Sequence, residues 1–136
     1  MRSALYLDAG EDVATEELAD EIDMMLAADD WAAFGAEADD GGLIGLIELF
    51  ERNYAEGCAT SPVTFVEGLW VAEAWRRKGV ARMLIAAGAA WGRSRGRTEL
   101  ASDVRLVNER SQAVHERLGF EETGRLVTYR RSIDGD

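Results

Sequence analysis

The chain has 136 residues, 47% of them hydrophobic, and a formal net charge of −11. That length suits one domain with a sizeable core and that composition excludes a disordered chain, while no apolar run reaches the roughly 18–20 residues of a membrane span, and one Cys with one His excludes an internal disulfide and a Cys/His zinc site. The charge is segregated, with 17 acids and 2 bases in residues 1–67 (−15) and 9 acids and 13 bases in residues 68–136 (+4), which argues against nucleic acid and, beyond solubility, suits a cationic partner for the first half and an anionic one for the second.

The start, MRSALYLDAG, turns acidic too early for a signal peptide, so the expected location is cytoplasmic. Thr15 followed by Glu16 and Glu17 predicts a helix over residues 15–28, with Leu18, Ile22, Met25 and Leu26 as its apolar face and Met24 and Met25 as core filler. AAFGAEA and LIGLIELFE, joined by DDGG, read as a β-hairpin. A loop through RNYAEGCATSP follows, and Cys58 in it has no basic neighbour to make it a nucleophile. VTFVEGLWVA is a long strand with Gly68 as a bulge candidate. VARMLIAAGAAWGRSRG is a helix with Val80, Met83, Leu84, Ala87 and Trp91 on one stripe and Gly96 as its stop. ELASDV is a short strand, NERSQAVHERLG a short helix capped by Asn108, and FEETGRLVTYRRSI a final strand. The order predicts one domain over residues 1–136 of mixed α/β (α+β) class.

The chemistry concentrates at AWRRKGVA, between the long strand and the helix. A helix N-terminus offers free N–H groups, and glycine lets an anion reach the backbone. Arg76, Arg77 and Lys78 add positive charge there, although a βα turn also carries glycine for purely geometric reasons.

RRKGVA fits (Arg/Gln)-x-x-Gly-x-(Gly/Ala) through Arg76, Gly79 and Ala81. It resembles the pyrophosphate loop of the Gcn5-related N-acetyltransferase (GNAT) superfamily. FVEGLWV, GVARMLIAA, ELASD, N-x-x-S-x-x-x-H and LGFEETGRLVTYRR are similar to the aminoglycoside 6′-N-acetyltransferases within it. The likeness is dense over residues 54–131 and looser before. It implies a mixed, mostly antiparallel sheet flanked by helices and splayed beside the long strand. It also implies acetyl-CoA as co-substrate and a polycationic amine as acceptor; no metal is expected, on the count of one Cys and one His. Acetylation would remove a charge and a donor from the antibiotic, weakening its hold on an anionic RNA target.

The resemblance assigns roles residue by residue. Arg76, Arg77, Gly79, Val80 and Ala81 would bind the pyrophosphate. Leu69 and Val71 would pair with the pantetheine arm like an added strand, and the Val71 N–H would donate to the thioester oxygen as charge develops there. Asn108 would bond the arm from the other side, or cap its helix, or both. Glu67 and Asp103 would face the acceptor; read without the family they are an outward strand carboxylate and a turn cap. Glu67 would take the ammonium proton directly or through water, and Tyr54 would stack on a sugar or pack its loop. His115 would protonate the leaving thiolate or make a structural bond, with Tyr129 a weaker alternative.

RSALYLDAG resembles the end of the family's first helix, so the first strand is expected to be missing and a sheet edge to be bare or covered in a homodimer. Two rivals stay open: an acetyltransferase for a polyamine or peptide amine, and a truncated, non-catalytic acyl-CoA-binding scaffold.

Overall fold

The computed structural model describes residues 22–135. Five strands form one sheet in the order β1-β2-β3-β4-β5: β1 Ile22–Ala27, β2 Trp31–Glu37, β3 Leu43–Arg52, β4 Val63–Val71 and β5 Leu100–Ser102. Neighbours are antiparallel except β4 and β5, which are parallel. A single 3₁₀ turn, Glu73–Trp75, leads from β4 to helix α1, Val80–Ser94, and helix α2, Glu109–Arg117, follows β5. The mixed sheet, the hairpin over DDGG, the long strand and both later helices agree with the sequence reading.

Two segments differ from it. Residues 22–27 are strand, not the end of a helix; the part of that predicted helix before Ile22, with its Thr15 cap, lies outside the described residues. Ile22 pairs with Ala36 and Met24 with Phe34, and a bulge after Met24 brings Leu26 opposite Ala33. The neighbouring β2 is rich in Ala and Gly, and Met25 lies over Gly35, where a Cβ would come within 2.4 Å of its Sδ. Pairing to this small-residue strand overrides a helical apolar pattern of only a few residues. Met24 and Met25 are therefore half exposed on an edge strand rather than core filler. The start of the chain, where the first strand was expected to be missing, lies outside the described residues, and among the described residues the outer side of β1 is unpaired.

The second difference is at the end of the chain. Residues 120–133 make no strand. Leu126, Val127, Tyr129 and Ile133 are exposed. A strand needs an edge to pair with, and β5, the nearest in sequence, offers three residues. The segment touches the body through Thr123 Oγ1, which donates to the Glu56 carbonyl at 3.1 Å.

The core lies between α1 and one face of β2–β4, where Ile47, Leu49, Val66, Val80 and Leu84 are buried with Trp91. Gly88 and Gly92 set how close α1 sits. A Cβ on Gly92 would be 2.6 Å from Thr64 Oγ1, and one on Gly88 2.9 Å from Leu49 Cδ2. With Gly92 over Thr64 near the start of β4, the helix runs back along the strand and its N-terminus falls by the strand's C-terminal end. A smaller cluster of Ala55, Val63 and Phe65 covers the opposite face.

The far end of α1 is tied to the sheet by charge. Glu51 on β3 accepts from Arg95 Nε at 2.6 Å and from Arg97 at 3.0–3.1 Å. Arg95 also donates to the Asp29 carbonyl in the β1–β2 turn. The hydrogen bonds from Arg95 and then Arg97 pull the Glu51 carboxyl down to about 2. A lowered pKa stabilises the fold fully above the ordinary value of 4.5, and that stabilisation is lost as pH falls from there toward 2. Glu51→Gln is expected to lower stability by about 1–2 kcal/mol in urea unfolding at pH 7. The gap between the two proteins should close as the pH is taken down through that window; a gap constant with pH would show that the clamp is not electrostatic.

Candidate active site

The site begins with one extra residue in β4. Leu49 is opposite Val66, yet the next residue back on β3, Glu48, is opposite Gly68, so Glu67 is looped out. The bulge falls one residue before the glycine that marks it in the sequence. Its effect is a change of parity. Thr64 directs its N–H to the carbonyl of Glu99, just before β5, 3.3 Å away, and Val66 follows it. Without a bulge, Gly68 and Trp70 would do the same. Instead Ala72 donates to Ile44 on β3 at 2.9 Å, so Gly68 and Trp70 also face β3, and Leu69 and Val71 face the β5 side.

On that side β5 is already gone. It pairs with β4 only at Thr64, Phe65 and Val66. Beyond them the strands fork, and the backbone N–H and C=O groups of Leu69 and Val71 line the open edge. Val71 itself is buried against α1, and Leu69 packs on the same core. The edge is therefore anchored on the core, and among the described residues it is unpaired.

The loop at the end of β4 supplies a second row of donors. Arg77 has φ 63° and Gly79 φ 80°. These left-handed residues turn the chain so that Gly79 serves as the N-cap of α1 without any side-chain cap. The Met83 N–H reaches the Gly79 carbonyl at 3.2 Å. The N–H groups of Val80, Ala81 and Arg82 precede that first bond and have no carbonyl within the helix to reach. Arg76 and Arg77 flank them, with Arg76 Nε 3.4 Å from the Val71 carbonyl. Positive ends of N–H dipoles, a helix macrodipole and arginines converge at one place, which is an anion-binding arrangement.

Glu67 and Asp103 follow the last paired residues, Val66 and Ser102, so both stand where the fork opens. Both are exposed. Glu67 projects on the face opposite α1, where Arg52 Nε and Nη2 donate to its Oε2 at 2.8 and 2.5 Å. Sequence reasoning missed Arg52. The signal was there: it is one of two bases in the first 67 residues. Asp103 has no partner among the described residues. Tyr54 is exposed in the loop after β3, with its hydroxyl 3.4 Å from Glu56.

On the α1 face, His115 joins α2 to the end of β5. Its Nδ1 is 2.8 Å from the Ser111 carbonyl and its Nε2 is 2.8 Å from Ser102 Oγ. A carbonyl can only accept, so Nδ1 carries the hydrogen, and the Nδ1–H tautomer would accept from Ser102 at Nε2. Phe120 packs against the ring at 5.0 Å. Ser102 was likewise missed, because a serine in a three-residue strand carries no pattern. Asn108 caps α2, its Oδ1 accepting from the Ser111 N–H at 3.1 Å, which leaves its amide NH₂ able to donate elsewhere. Cys58 lies apart in a loop pinned by Glu99, which accepts from Thr60 and Ala59. Burial, then the Glu99 charge, push its thiol up. Among the described residues no group of three or more His, Cys, Asp or Glu is placed to hold a metal ion, and no helix is long and apolar enough to cross a membrane.

A model of the acetyltransferase (GNAT) family matches residues 2–120. The aminoglycoside N(6′)-acetyltransferase type 1 of Salmonella typhimurium (strain LT2) is 47% identical over 108 residues, covering 79% of this chain and 74% of the relative. The protein of the same name from Stenotrophomonas maltophilia is 38% identical over 135 residues, 98% of this chain and 84% of the relative. Among solved structures, AAC(6′)-Iy in complex with the bisubstrate analog CoA-S-monomethyl-acetylneamine superposes with a TM-score of 0.74 at 47% identity, covering 77% of this chain and 71% of that one.

The Ser102–His115 bond joins two elements that otherwise touch little. Ser102→Ala and His115→Ala are each expected to cost about 1 kcal/mol in urea unfolding, and the double variant less than the sum. Strict additivity would mean the two side chains do not act as a pair.

Proposed function

The chain belongs to the acetyltransferase (GNAT) family, and we propose that it transfers the acetyl group of acetyl-CoA to the 6′-amine of an aminoglycoside. The observation that carries the reading is the fork in the sheet, with an unpaired, parity-shifted β4 edge on one side and an uncapped helix N-terminus at its end. Those features fit acetyl-CoA: a diphosphate matches the N–H groups of Val80, Ala81 and Arg82 with Arg76 and Arg77, and an amide-bearing arm matches the Leu69 and Val71 edge. The Asn108 amide would bond the arm from the α2 side while its Oδ1 keeps the cap.

Bound there, acetyl-CoA supplies an activated acetyl thioester and leaves as the thiol. The Val71 N–H donates to the thioester oxygen as it gains negative charge. Glu67, whose Oε1 has no partner among the described residues, binds the acceptor ammonium and takes its proton directly or through one water, which frees the nitrogen lone pair for attack. Asp103 holds a second ammonium, and Tyr54 offers a ring for a sugar face. Much of the rate comes from holding amine and thioester together, since an exposed carboxylate is a weak base. His115 has Nδ1 held by the Ser111 carbonyl and Nε2 held by Ser102 Oγ, so both ring nitrogens are engaged between α2 and β5. We therefore assign it to holding α2, and the thiolate proton to solvent.

The remaining expectations are of the same kind. We read residues 1–136 as one domain working in the cytoplasm. The exposed Met24, Met25 and Leu26 on the outer strand β1 support a homodimer that covers this edge. Thiol release with a panel of amines tests the activity: turnover with aminoglycosides bearing a 6′-amine is expected, and release only with polyamines or peptides, or none at all, would overturn it.

Gly79→Val forces a β-branched residue to φ 80° and crowds the diphosphate. The acetyl-CoA Kd is expected to rise at least about tenfold, or 1.4 kcal/mol. An unchanged Kd by calorimetry in a folded variant would remove the loop from the site.

Glu67→Gln and Asp103→Asn should each lower kcat/KM for the aminoglycoside about ten- to a hundredfold while leaving acetyl-CoA affinity intact. Acceptor affinity should weaken as salt rises. Wild-type rates in both variants would disprove the acceptor assignment.

A further inference from the structure

As the bulged residue, Glu67 has no residue of β3 directly opposite it. Nothing in the ladder therefore sets where its flexible side chain points. What holds it is Arg52, the last residue of β3. The Arg52 guanidinium lies 3.7 Å from the centroid of the Phe65 ring, and that ring is buried. From this platform Nε and Nη2 both donate to one carboxylate oxygen, Oε2, at 2.8 and 2.5 Å. Oε1 has no partner among the described residues.

We propose that Arg52 is a positioning residue for the acceptor: it fixes Oε2 and thereby presents Oε1 at the mouth of the fork. The proposal rests on the reading of Glu67 as an acceptor-site carboxylate. Its logic is a division of labour between two oxygens. A free glutamate samples several rotamers, and ordering it on acceptor binding would cost affinity. Here the ordering is done in advance. Arginine suits the task where lysine does not, because its planar fork stacks on a ring and delivers two donors in a fixed geometry. Both donors on a single oxygen restrain the carboxylate without blocking it, as a bidentate pair on both oxygens would.

The test compares Arg52→Ala, Arg52→Lys, Glu67→Gln and the double variant Arg52→Ala/Glu67→Gln. Three readouts are taken: kcat/KM for an aminoglycoside, acetyl-CoA Kd by calorimetry, and Tm. Arg52→Ala is expected to lose about tenfold in kcat/KM with acetyl-CoA Kd unchanged, and Arg52→Lys to recover part of it. In the Glu67→Gln background, Arg52→Ala should change kcat/KM less than twofold, because the group it positions is already gone. A fall in acceptor KM in Arg52→Ala would show that the guanidinium competes with the acceptor, and would overturn the proposal. Equal losses with and without Glu67, or lower Tm with unchanged kinetics, would reduce Arg52 to a structural role. If Glu67→Gln is impaired but Arg52→Ala is not, only this inference fails; if Glu67→Gln is itself unimpaired, the acceptor-site reading fails first. Should the alanine variant not fold, Arg52→Gln keeps part of the stem over Phe65 and carries the same expectations.

Discussion

Glu67 occupies a place in β4 for which β3 has no counterpart, and the rest of the site follows from that mismatch. Before it, alternate residues of β4 point their backbone to β5 and their side chains to α1. After it, the parity reverses, so Leu69 and Val71 inherit both directions. Their side chains continue the core that Thr64 and Val66 began, and their N–H and C=O groups continue the edge. Had the strand stayed regular, Trp70 would have been driven under α1 and Val71 out to solvent. Instead Val71 is buried and Trp70 is about half exposed.

An unpaired edge is useful only if it stays open and rigid. Openness comes from β5, which stops pairing at Val66, and from His115, which holds the following helix through Ser102 at the end of that strand. Rigidity comes from α1. Two glycines let the helix lie close on Thr64 and Leu49, and the Glu51–Arg95–Arg97 clamp fixes its far end. The helix N-terminus is then set at the end of the same strand that lines the fork. The N–H groups at the helix N-terminus and those of the β4 edge share one body, so an elongated ligand with a charged end and an amide-bearing arm would meet both.

The charge segregation along the chain also acquires a geometry. The basic second half places Arg76 and Arg77 at the helix N-terminus. The acidic first half contributes Glu67, and the second half adds Asp103, so that two carboxylates stand where the strands diverge. Arg52 moderates that acidic mouth from the far end of β3. The opposed charges at the two ends of the fork suit a transfer from an anionic donor to a cationic acceptor.

The features legible in the sequence are those that depend on neighbours along the chain. The stripe of Val80, Met83, Leu84, Ala87 and Trp91, the DDGG hairpin, the Asn108 cap and the glycine between strand and helix are all short-range patterns, and each is found where it was expected. The bulge was legible to within one residue, because glycine marks the local kink. The features that were not legible depend on partners far apart in sequence. Residues 22–27 carry a helical pattern but pair with β2, whose small side chains accept them. Residues 120–133 carry a strand pattern but pair with no strand among the described residues. Arg52 and Glu67 are fifteen residues apart, and Ser102 and His115 thirteen, with no motif to join either pair. A helix closes its hydrogen bonds within itself, so its sequence suffices; a strand, and any side chain that bonds across strands, takes its place only when the partner is there to receive it.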